Sequence, residues 1–137
     1  MSGVRRGVPW GALLAALQAP ALAHAACGDG YPMRASQGAQ AVALRSVPAA
    51  IPLDRHFVLE LQLCPVPKGV TSLRVDADMP AHRHGMNYKT RLVAANAAAG
   101  RYRAEGLLFH MPGRWRFIVD LVTPEGPLRL THELEVQ

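Results

Sequence analysis

Cysteine is scarce in this chain of 137 residues: there are two, Cys27 and Cys64, and no Cys-x-x-Cys or Cys-x-x-x-Cys spacing. That argues against a thiolate metal site built from closely spaced pairs. There is no His-Glu-x-x-His segment and no Ser or Cys in a recognisable nucleophile elbow, and Asp76 and Asp78 lack a partner constellation. The chain therefore reads as a non-enzyme. Charge of one sign is also thin. The formal net charge of +5 falls to +3 without Arg5 and Arg6, and the remaining basic residues are interspersed with acids, as in Arg101-Tyr102-Arg103-Ala104-Glu105. Neither a phosphate-tracking stripe nor a polybasic membrane patch is present, so nucleic acid is not an expected partner. The one long apolar run, Gly11 to Leu22, is interrupted by Pro20 and falls short of the ~20 residues that span a bilayer as a helix. Beyond it there is no amphipathic helical pattern, internal repeat or low-complexity linker.

What is there begins with an export signal. Arg5 and Arg6 form a positive n-region, Gly11–Leu22 an apolar core, and Ala23-His24-Ala25 offers small residues where a signal peptidase reads. Residues 1–25 are expected to be cleaved, leaving residues 26–137 as one domain in the periplasm, with no membrane span. Acylation of Cys27 as a lipid anchor is disfavoured by His24, where such sites carry an aliphatic residue. In an oxidising compartment two thiols usually pair, so a Cys27–Cys64 disulfide is expected, with soft metal ligation by both as the alternative. An unstrained bridge would stabilise by about 2–4 kcal/mol.

From Gly38 onward hydrophobicity alternates with period two. Phe57, Leu59, Leu61 and Leu63 share one parity, as do Leu73, Val75 and Ala77, then Trp115, Phe117, Val119 and Leu121, then Leu128, Leu130, Leu134 and Val136. Successive strand side chains point to opposite faces, so each run has a buried and a wetter side. Weaker runs at 41–47, 89–94 and 101–109 raise the expected count to about seven strands. Turn signals separate them, at Val66-Pro67-Lys68-Gly69, Ala99-Gly100, Met111-Pro112-Gly113 and Thr123-Pro124-Glu125-Gly126, and Asn96–Ala99 has room for a single helical turn. The fold class is all-β: an immunoglobulin-like antiparallel β-sandwich.

Chemistry concentrates in Met79-Pro80-Ala81-His82-Arg83-His84-Gly85-Met86. Two imidazoles and two thioethers lie within eight residues, between a Pro and a Gly. A thioether adds little to a zinc, calcium or magnesium site, whereas copper accepts imidazole and thioether together. In an extended backbone the spacing of His82 and His84 sends both rings to one side, and Gly85 would let the chain turn so that Met86 returns to the same point. Met79 would approach from the strand end. His110-Met111 is a second donor pair, read as ending one strand on the hairpin Met111-Pro112-Gly113-Arg114 that leads into Trp115. Neighbours in a strand face opposite ways, so only one of that pair can point at a given site. Trp115 reads as a core anchor, Met33 as packing, and His56 and His132 as structural histidines.

Asp76–Met86, Gly100-Arg101-Tyr102 and Met111–Val119, in that order, resemble the YtkA-like family of small exported β-sandwich domains. The resemblance implies an immunoglobulin-like fold, copper handling, and in some members delivery of copper to a protein acceptor in respiratory oxidase assembly. It places a His/Met metal site on His82, His84, Met86 and Met111, with Met79 on its Met-Pro element. The expected function is a periplasmic copper carrier or metallochaperone. Thioethers favour Cu(I), and the imidazoles also tolerate Cu(II). Affinity should fall with pH below the ordinary imidazole range near 6.5, since only neutral imidazole binds. The competing expectation is a metal-free interaction module of the cell envelope.

Overall fold

The period-two runs become two antiparallel sheets that bury their apolar parity against each other. The computed structural model describes Met1, Gly3 and residues 26–137; the expected signal peptide, residues 1–25, lies outside the described residues but for Met1 and Gly3. Nine strands form: β1 (Met33–Gln37), β2 (Gln40–Val47), β3 (Phe57–Cys64), β4 (Ser72–Met79), β5 (His84–Gly85), β6 (Arg91–Asn96), β7 (Arg101–Leu107), β8 (Gly113–Thr123) and β9 (Gly126–Val136). One sheet has the order β1-β2-β3-β7-β6 and the other β5-β4-β8-β9. No α-helix occurs among the described residues, and none of their helical turns is long and apolar enough to cross a membrane. The all-β, immunoglobulin-like sandwich expected from the alternation is the fold observed.

The core is the predicted parity. Phe57, Leu59, Leu61 and Leu63 of β3 meet Val75, Ala77 and Met79 of β4 and Trp115, Phe117, Val119 and Leu121 of β8 across the interior. The two strands beyond the expected seven are β1 and β5. Alternation is faint in both, because β1 is a five-residue edge strand that buries only Ala35 and β5 is two residues long. β2 alternates weakly for another reason: it is covered on both faces. The segment around Gly28 lies so close that a Cβ there would come within 2.7 Å of the Ala43 Cβ. That segment is held by the expected disulfide between Cys27 and Cys64, with Cα atoms 5.7 Å apart, which ties it to the end of β3.

Polar chemistry closes the loops. The Asn96 side chain accepts from Ala99 N–H at 3.1 Å and caps the short 3₁₀ turn at Ala97–Ala99. On the outer face of the second sheet, Arg116 grips Asp78 with two bonds of 2.9 and 2.6 Å, and Arg129 grips Asp120 with two of 2.7 Å. Both pairs are cross-strand. Hydrogen bonding to Asp78 is the main reason the Arg116 pKa is raised above its ordinary value, against the opposing effect of burial.

Candidate metal centre

The site grows from the end of β4. Met79 is its last residue, and the chain leaves through a 3₁₀ turn at Pro80–His82. Reversal falls on Arg83, which takes the left-handed conformation (φ 54°, ψ 33°) and donates its N–H to Pro80 O at 3.3 Å. Short β5 then pairs back on β4, with His84 opposite Met79 and Gly85 opposite Asp78. Met86 N–H donates to Ala77 O at 3.3 Å and continues the return. The expected extended His-x-His segment is therefore replaced by a turn, with a left-handed residue between the two rings. The expected pivot at Gly85 is replaced by Arg83. A left-handed non-glycine residue costs on the order of 1–2 kcal/mol, which the surrounding pairing must offset.

Directly opposite residues in an antiparallel pair present side chains to the same face. Met79, 1% exposed, fills the core end, and His84, half-buried, sits on the same side over the rim of the sandwich. The His82 and His84 ring centres are 5.7 Å apart. His84 Nδ1 lies 3.3 Å from Gly85 O; with Nδ1–H donating there, Nε2 is left as the free lone pair.

The second loop is not a hairpin. β7 belongs to one sheet and β8 to the other, so residues 108–112 cross over the end of the sandwich. Two anchors hold this crossover. Phe109, fully buried, bridges to Leu53 and stacks on Trp115 with ring centres 4.1 Å apart and planes 11° from parallel. Trp115 Nε1–H donates to Met111 O at 3.0 Å. Between these anchors His110 is turned outward, with its ring centre 5.2 Å from that of His84. Both imidazoles meet the Trp115 ring edge-on, at 6.1 Å for His84 and 5.6 Å for His110.

The two loops thus bring three imidazoles into a row, His82, His84 and His110, above a buried aromatic stack. Met86 and Met111 are half-buried and packed against the core cluster, and Met79 lies within it. As the side chains stand, no three His, Cys, Asp or Glu groups among the described residues converge on one ion position. Sequence reasoning weighed His110 but named Met111 from that pair; the ring beside His84 is His110. The neighbour rule turns His110 outward only once Phe109 is known to be inside, which its stacking on Trp115 establishes. The other two histidines among the described residues are elsewhere: His56 packs edge-on against Tyr88 at 5.1 Å, and His132 Nδ1 lies 3.0 Å from Arg34 O.

No curated protein matches the chain. A family model described as YtkA-like matches residues 41–120, from β2 through most of β8, and so takes in both loops of the candidate site. That stretch is more than half of the sequence, and the chain belongs to the YtkA-like family.

Proposed function

We propose that the protein is an exported copper-binding protein, a carrier or metallochaperone acting in the periplasm rather than an enzyme. One observation carries the reading: two separate loops converge so that His84 has an imidazole neighbour on each side, at 5.7 and 5.2 Å, with the thioethers of Met86 and Met111 in the same loops. Nitrogen and thioether donors together suit copper better than zinc, calcium or magnesium. Copper is here cargo. His82 and His84 would hold it, with Met86 and Met111 supplying soft donors after side-chain rotation and Met79 underlying them. Thioether participation favours Cu(I), and the imidazoles accept Cu(II). The position at an exposed rim, rather than in a closed cavity, suits handing the ion to a protein acceptor such as a component of respiratory oxidase assembly.

The test is anaerobic titration with Cu(I) against a competing chelator, comparing wild type with the His82→Ala/His84→Ala double variant. One tight equivalent that disappears in the variant, with thermal unfolding unchanged, supports the carrier reading. Equal binding by both proteins moves the site elsewhere, and binding by neither leaves a protein-contact module.

A further inference from the structure

We infer that His110 is a metal ligand, and that the position between His84 and His110 is a Cu(II) site; this rests on the copper-carrier reading and specifies which atoms and which oxidation state it uses. The first argument is geometric. A metal–imidazole nitrogen bond of about 2.0 Å puts the ring centre about 3.2 Å from the ion, so two imidazoles on one ion have centres about 4.5 Å apart at a right angle and about 6.4 Å apart when opposed. The 5.2 Å separation of His84 and His110 falls inside that window, as does the 5.7 Å separation of His82 and His84. His84 is common to both pairs and is the natural first ligand.

The second argument concerns what the rings are doing otherwise. His110 and His82 are exposed, and among the described residues neither ring nitrogen has a hydrogen-bond partner, whereas His132 does. His110 is nonetheless well placed, because Phe109 and the Met111 carbonyl on either side of it are both clamped to Trp115. Free nitrogens on a pinned backbone need only side-chain rotation, of the kind exposed residues make readily, to close on an ion. His84, with Nδ1–H donating to Gly85 O, would keep the Nε2 lone pair for an ion.

The third argument is donor softness. Met79 is inside the core and Met86 and Met111 are packed on it, so the donors that stand free at the rim are imidazoles. An imidazole set without a committed thioether favours Cu(II), which also leads the divalent series in affinity.

The test uses the full-length chain, titrated with Cu(II) and separately with Zn(II) against a competing chelator, and pulsed electron paramagnetic resonance to count coordinated imidazoles. Expected for wild type is one Cu(II) equivalent, bound more tightly than Zn(II), with at least two imidazoles. His110→Ala should weaken Cu(II) at least about tenfold and remove one imidazole from the spectrum. His132→Ala, remote from the site, should stay within about twofold of wild type. Unchanged affinity and imidazole count in His110→Ala, in protein with unaltered circular dichroism, overturns the inference. Tight Cu(II) binding lost in the His82/His84 double variant but indifferent to His110 would overturn it too, while leaving the carrier reading standing. No binding of either copper ion to wild type would remove both.

Discussion

Met79 provides the sharpest test of how the core and the rim divide the work. Its neighbours in sequence suggest a soft ligand, yet its side chain is 1% exposed and its Cε is the atom a Cβ on Gly113 would meet, at 3.0 Å. Replacing it with Ala deletes three buried heavy atoms. The lost transfer free energy is about 2 kcal/mol. A residual cavity of about 60 Å³ adds about 1.5 kcal/mol at the usual cost per unit volume. Met79→Ala should therefore destabilise by about 3–4 kcal/mol, which lowers the melting temperature of a domain this size by roughly 12–16 °C. Met79→Leu nearly conserves volume and should cost less than about 1.5 kcal/mol. Denaturant unfolding gives the stabilities, and Cu(I) competition on the folded Leu variant gives the affinity. Burial predicts that the Leu variant keeps copper affinity within about twofold. A Leu variant with a near-native midpoint but at least tenfold weaker Cu(I) binding would refute the assignment of Met79 to packing. A loss below about 1 kcal/mol in the Ala variant would refute the packing estimate itself.

Removing the Cys27–Cys64 bridge by a double Ser substitution opens a loop of 37 residues in separation, for which loop-closure entropy gives a loss of about 4 kcal/mol; urea unfolding should show it, and a loss under about 1 kcal/mol would mean that the segment around Gly28 is held by its packing on Ala43 instead. Two glycines near the site should respond unequally. Gly113, at φ 125°, is in a conformation that side chains rarely adopt, so Gly113→Ala should cost about 1–3 kcal/mol by thermal unfolding. Gly85 lies in ordinary strand backbone, with room for a Cβ 3.4 Å from Ala77 O, and Gly85→Ala should change stability by less than about 1 kcal/mol. Equal losses at the two positions would contradict the placement of the turn at Arg83.

Legibility followed burial. Where one face of a strand is covered and the other wet, as in β3, β4 and β8, alternation in the sequence translated directly into the core. It faded where that contrast was missing. Ala41–Leu44 is buried throughout, because the disulfide-tethered segment covers the face that would otherwise be wet. β1 is a short edge with little to bury, and β5 has too few residues for any period to register. The disulfide was legible from the cysteine count and the expectation of an oxidising compartment, since neither needs knowledge of the fold.

At the candidate site the residue types were legible and their directions were not, for a reason that lies in the backbone. Strand periodicity assigns a side to each residue only while the chain stays extended. His82 ends a 3₁₀ turn and Arg83 is left-handed, so the parity rule does not carry across to His84. Arg83 carries no mark of that conformation in its chemistry, whereas Gly85, which does, has no need of it. The crossover at 108–112 shows the converse. There the neighbour rule did hold, but which member of His110-Met111 faces the rim depends on Phe109 being inside, and that follows from its stacking on Trp115 in the opposite sheet. The sandwich thus supplies what sequence spacing alone cannot. It turns one strand end back on itself and carries a second loop over from the other sheet, so that imidazoles 26 residues apart in the chain, His84 and His110, stand within 5.2 Å.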